Sequence, residues 1–109
     1  MLAKKYRLSV ASTFNKKGEV HRGRYFLFKV LPTTRVYPQV AVVVGVAVDS
    51  RASARNKIKR ALYEQFRESL PKLKNANYCI IVSPTAGKAD LYAIISELSD
   101  GLNKFAFKK

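Results

Sequence analysis

Two apolar segments flanking one amphipathic stretch limit what this chain can fold into. Residues 39–48 are rich in valine and almost continuously apolar, the pattern of a strand covered on both faces. Residues 78–83 repeat that pattern in a shorter run. Between them, residues 53–70 carry Ile58, Leu62 and Phe66 at helical spacing, flanked by Ala61 and Leu70, and Pro71 marks the stop. A strand, a helix and a second strand in this order predict a parallel pair with the helix packed on the sheet.

The rest of the chain supplies smaller elements. Residues 24–31 alternate, with Tyr25, Leu27 and Lys29 on one face and Arg24, Phe26, Phe28 and Val30 on the other, which predicts a strand. A loop bounded by prolines follows over residues 32–38. Upstream, Ser9 or Ser12 can cap a short helix reaching about Lys17, where Gly18 ends it. A turn at 84–87 precedes a last helix over 89–105, with Leu91, Ile94, Ile95, Leu98, Leu102 and Phe105 on its apolar face. The class is α+β. Without repeats or linkers, residues 1–109 form a single domain.

Charge narrows the partners. The formal net charge is +14, and residues 1–60 hold 14 of the 21 basic and 2 of the 7 acidic side chains. Such a field attracts nucleic acid or an anionic membrane surface, and the first half should carry the binding face. The longest apolar run, residues 40–48, is too short to span a bilayer, and no secretory signal pattern is visible, so a cytoplasmic protein without membrane attachment is expected. Cys79 is the only cysteine, which excludes an internal disulfide and a cysteine-based zinc site; it reads as a small buried filler. His21 is the only histidine, and the acids are scattered rather than clustered, so neither histidine acid–base chemistry nor a two-metal nuclease centre is expected.

The start of the 53–70 helix is the most telling site. It holds Arg55, Asn56, Lys57, Lys59 and Arg60. The helix dipole favours cations at the opposite end, so stacking them here costs some helix stability unless a polyanion neutralises them. At 3.6 residues per turn, Asn56, Arg60, Tyr63 and Arg67 form a stripe beside the core, while Glu64 and Glu68 form another in which Arg60 and Glu64 are an i,i+4 pair. Lys57 points toward the acids and should be the least engaged cation. The competing reading is an ordinary solvated helix face; the charge and spacing favour RNA.

The motif Arg55-Asn56-Lys57-Ile58-Lys59-Arg60, the pair Arg7-Leu8 with Phe14 seven residues after the arginine, Lys4-Lys5-Tyr6, Arg24-Tyr25-Phe26 and the strand at Tyr78 together resemble the protein component of bacterial ribonuclease P. The resemblance implies the order α-β-β-β-α-β-α, with an additional strand near residues 19–22 and the basic helix in the strand–helix–strand crossover. It implies that the chain is a subunit of an endoribonuclease whose chemistry resides in a catalytic RNA using Mg2+, which removes the 5′ leader from precursor tRNA. Ribonuclease P RNA would bind Arg55, Asn56, Lys57, Lys59 and Arg60. The leader would lie in an aromatic cleft between sheet and helix, gripped by Phe14, Phe26 and Phe28 with Tyr63, Arg67, Arg7, Arg22 and Arg24. One copy per RNA is expected. Core packing is the competing reading for Phe26 and Phe28, and a non-enzymatic RNA-binding module is the alternative for the whole chain. Lys57 stands where the family pattern has arginine and keeps charge without the bidentate fork. Tyr63 also stands where many relatives have arginine, and the segment between Phe14 and Phe26 is short.

Overall fold

The computed structural model describes residues 3–8, 18–33 and 35–108. Strands β1 (Glu19–Arg22), β2 (Phe26–Leu31) and β3 (Gln39–Val43) lead into helix α1 (Ala52–Ser69), followed by β4 (Asn77–Val82) and helix α2 (Leu91–Phe105). The sheet order is β1-β2-β4-β3. β1 with β2 and β2 with β4 are antiparallel, and β3 with β4 is the expected parallel pair across the α1 crossover. The class is α+β, and the strand near residues 19–22 is present. The short helix expected between Ser9 or Ser12 and Lys17, and with it Phe14, lies outside the described residues.

The core occupies one face of the sheet. Phe28 sits opposite Ile80, and Val42 lies opposite Ile80 on the other side, so side chains from three strands line up in register. Phe26, Val30, Val40, Tyr78 and Val82 complete that face, which α1 covers with Leu62, Tyr63 and Phe66 and α2 with Ile94, Leu98 and Leu102. Tyr78 is fully buried at the centre, its ring 5.9 Å from Phe28 and 5.8 Å from Phe66. Its hydroxyl donates to the Lys74 carbonyl at 2.7 Å, which satisfies the buried polar tip, and burial pushes its pKa up. Gly101 lets α2 approach, since a Cβ there would lie 3.3 Å from the Phe28 ring.

The valine-rich segment ends as a strand sooner than its composition suggests. After Val43 the chain turns, with the Val48 N–H donating to the Gly45 carbonyl at 3.1 Å. Val48 stays apolar because it is buried in the turn, whereas Val46 is 67% exposed. Gly87 is required at the same place: a Cβ there would lie 1.9 Å from the Val48 carbonyl oxygen. The α2 start is capped by Asp90, whose carboxylate accepts from the Tyr92 N–H at 3.1 Å. Helix α1 has no such cap; Arg51 occupies its N-cap position, and its side chain makes no capping bond to the helix.

Truncation of Phe28 to alanine should lower stability by about 3–5 kcal/mol in chemical denaturation. Tyr92→Ala, at a side chain 82% exposed, should change it by no more than about 0.5 kcal/mol.

Candidate nucleic-acid interface

Helix α1 starts just beyond the carboxyl end of β3, and the connector is braced at that point. Asp49 accepts from the Arg51 backbone N–H at 2.9 Å and from its guanidinium at 3.1 and 3.0 Å. These bonds hold the Asp49 carboxyl down from the ordinary 3.8 to about 2. Arg55 folds back onto the same connector, its Nη1 donating to the carbonyls of Asp49 at 3.0 Å and Ser50 at 2.9 Å. Expected purely as an RNA contact, Arg55 therefore also locks the turn that aims the helix start.

Beyond the brace the expected cations are free. Asn56, Lys57, Lys59 and Arg60 are exposed, and among the described residues none makes a side-chain hydrogen bond or ion pair. Asn56, Lys59, Arg60 and Tyr63 line one recess on α1. Tyr63 is its floor: the residue is 8% exposed and belongs to the core cluster, and burial pushes its hydroxyl pKa up, partly offset by the Val42 backbone and Arg7. Arg7 reaches this place because residues 7 and 8 run along the free edge of β3, where the Leu8 N–H donates to the Val40 carbonyl at 2.7 Å. Arg7 thus lies near Tyr63, while the recess itself is lined by Asn56, Lys59, Arg60 and Tyr63.

Other expected site residues lie elsewhere. Phe26 and Phe28 are 3% and 2% exposed on the sheet face covered by the helices, so neither offers a ring to a base. The alternation was correct, but the phenylalanine face is the core; Leu27 and Lys29, half-buried, lie on the opposite one. Arg67 is engaged by Glu64, its Nε at 2.9 Å and Nη2 at 2.8 Å from Oε2, and this holds the Glu64 carboxyl down from 4.5 to about 2. The i,i+3 partner Arg67 takes the place expected for Arg60, leaving Arg60 unneutralised.

Arg22 and Arg24 are exposed at the β1 edge, across the sheet from β3. The Arg24 guanidinium lies 5.6 Å over the Tyr25 ring, and its backbone is held by Glu97 on the N–H and Thr85 on the carbonyl. Glu97 also accepts from the Tyr25 N–H at 2.9 Å, a hairpin clamp that helix periodicity does not reveal. His21 stacks on Phe105 at 3.6 Å, with Nε2 3.3 Å from Glu19 Oε2.

The Asp49 bonds have a measurable consequence. The folded carboxyl lies below its ordinary value, so the brace is intact above pH 3.8 and is lost as pH falls toward about 2. An NMR titration should place the Asp49 midpoint near 2 and move it toward 3.8 in Arg51→Ala. An unmoved midpoint would show that Arg51 is not the cause.

This architecture is shared with known proteins. The family model described as Ribonuclease P matches residues 2–106. The ribonuclease P protein component of Pseudanabaena sp. (strain PCC 6903) is 31% identical over 112 residues, covering 99% of this chain and 94% of the relative. That of Xanthomonas oryzae pv. oryzae (strain MAFF 311018) is 40% identical over 52 residues, which are 48% of this chain and 36% of the relative. Among solved structures, a Staphylococcus aureus RNase P protein mutant with defective mRNA degradation activity matches with a TM-score of 0.86 at 24% identity, over 95% of this chain and 92% of the other. The RNase P protein from Thermotoga maritima matches at 0.77 and 21%, over 91% and 96%. Those two likenesses concern the fold. With the family pattern running through nearly its whole length, the chain belongs to the ribonuclease P protein family.

Proposed function

We propose that this chain binds ribonuclease P RNA through the α1 start and helps that RNA remove the 5′ leader from precursor tRNA. The observation that carries the reading is the group of Lys59, Arg60 and Asn56 without side-chain partners among the described residues, on a helix start aimed by the Asp49–Arg51–Arg55 brace. Cations held in place but unneutralised suit a partner whose phosphates complete the charge balance. Their contribution is electrostatic and positional.

The cleavage chemistry is assigned to the RNA. Among the described residues no three histidine, cysteine or carboxylate side chains converge as metal ligands. Four of the seven acids serve the fold instead: Asp49 binds Arg51, Glu64 binds Arg67, Asp90 caps α2 and Glu97 clamps the hairpin. In this reading the Mg2+ is held by the RNA, which the lack of a converging donor set among the described residues supports. By lowering phosphate repulsion, the chain would reduce the Mg2+ the RNA needs.

The leader contact follows from the resemblance and is narrowed by the fold. Phe26 and Phe28 drop out because they are core; Arg7 beside Tyr63 remains, and Phe14 is retained on its motif spacing. One copy per RNA is proposed, since +14 opposes self-association. No helix among the described residues is long and apolar enough to cross a membrane, and a cytoplasmic site of action is proposed.

The test is the salt dependence of binding to ribonuclease P RNA. Lys59→Ala with Arg60→Ala should reduce the magnitude of the log–log slope by about 1.4–1.8, the equivalent of two phosphate contacts. An unchanged slope contradicts the assignment. Phe14→Ala should weaken binding of precursor tRNA carrying a leader more than binding of mature tRNA; equal losses would remove Phe14 from the leader site.

A further inference from the structure

We infer that the end of the molecule opposite the α1 start carries a second RNA contact, built to hold one unpaired nucleotide. The inference extends the reading that the chain works on RNA, and it concerns residues that the α1 motif does not include. With 18 residues, α1 spans roughly 27 Å, so its last turn lies that far from the cations at its start. There Leu70, Pro71 and Leu73 meet Tyr6, Tyr37 and Pro38 around a recess of about 320 Å³, with Lys108 at its rim.

Four segments distant in sequence meet at this recess, and hydrogen bonds between segments fix three of them. The Gln39 side-chain amide donates to the Lys5 carbonyl at 2.8 Å, setting the 3–6 segment against β3. The Lys108 N–H donates to the Lys72 carbonyl and the Lys74 N–H to the Ala106 carbonyl, each at 2.8 Å, which pins the chain after α2 beside the 70–75 turn. On the fourth, segment 35–38, the Arg35 N–H donates to Thr33 Oγ1 at 3.1 Å. Three of its four walls are therefore held by hydrogen bonds between segments of the chain itself.

Its chemistry matches a nucleotide in both parts. Tyr6 and Tyr37 pack edge to face at 5.8 Å, and the leucine and proline floor between them and α1 suits the flat face of a base. Lys5 Nζ lies 4.8 Å from the Tyr6 ring centre and 5.3 Å from that of Tyr37. The Arg35 guanidinium lies 5.9 Å from the Tyr37 ring and donates to its hydroxyl at 3.2 Å. Lys72 Nζ is 5.8 Å from the Phe107 ring. Segments 3–6, 35–38, 70–75 and 106–108 contain Lys4, Lys5, Arg35, Lys72, Lys74 and Lys108 and no carboxylate. Among the described residues none of these cations has an acidic partner. Cations positioned by π faces keep their N–H donors for phosphate oxygens. A paired duplex would present phosphates but no free base face for the recess, which is why an unpaired nucleotide is assigned.

Val36, 85% exposed at the mouth, offers a probe position that leaves the fold alone. The photo-crosslinking residue p-benzoylphenylalanine is placed at position 36 in one full-length variant and at position 59 in another. Each is assembled with ribonuclease P RNA and precursor tRNA. The account expects crosslinks from both positions, the one from position 36 mapping to an unpaired nucleotide distinct from the position 59 target. It also expects Lys5→Ala with Arg35→Ala to reduce the salt slope by about 1.4 with an unchanged circular dichroism spectrum. A crosslink from position 59 but none from 36, with an unchanged slope in the double variant, overturns the second contact and leaves the α1 assignment standing. A position 36 crosslink mapping only to paired nucleotides overturns the nucleotide recess. Crosslinks from neither position would overturn both readings.

Discussion

Parallel pairing of β3 with β4 decides where everything else on this chain can be. Two parallel neighbours cannot be joined by a tight turn, so the chain must leave the end of β3 and return to the start of β4. Helix α1 makes that return, beginning beyond the carboxyl ends of the strands and ending near their amino ends. One helix therefore delivers the cations of its N-terminal half to one end of the molecule and its closing Leu70-Pro71 turn to the other. The buried stripe Leu62, Tyr63 and Phe66 fixes the helix rotation, and with it the direction in which Asn56, Lys59 and Arg60 project.

The distribution of acids gives the charge its meaning. A chain with 21 basic side chains must keep like charges apart or find anions. Here Asp49, Glu64 and Glu97 each hold a structural element, and the first two neutralise Arg51 and Arg67 in doing so. Neither carboxylate pairs with the exposed cations of the α1 recess. That division explains how so basic a domain can keep a well-connected fold while presenting unneutralised charge to a partner. It also separates Arg55 from its neighbours: with one nitrogen on two backbone carbonyls, Arg55 orients the helix start as well as charging it.

Much of this was legible in the residues. The period of α1 placed Ile58, Leu62 and Phe66 inward and set the Asn56–Arg60–Tyr63 stripe beside the core, as the recess shows. β1 was not legible from alternation, because Glu-Val-His-Arg is short and polar and rests on pairing with β2; only the family resemblance indicated it. Alternation in β2 separated its two faces but could not say which one the helices cover. Leu98 and Gly101 decide that from α2, roughly seventy residues away in the sequence, which is why Phe26 and Phe28 proved to be core. Composition likewise overextended β3, since a buried turn valine such as Val48 is as apolar as a strand valine. The Tyr6–Tyr37 recess was invisible because four separate segments meet to form it.

The proposed role of this chain is to supply positioned positive charge to an RNA that carries out the cleavage. Its most direct test is cleavage of a precursor tRNA at low Mg2+ by a bacterial ribonuclease P RNA, with and without the chain, alongside the chain alone. The account predicts cleavage at the mature 5′ end only when chain and RNA are combined. Cleavage by the chain alone would contradict it, and RNA binding without any activation would reduce the chain to a plain binding module.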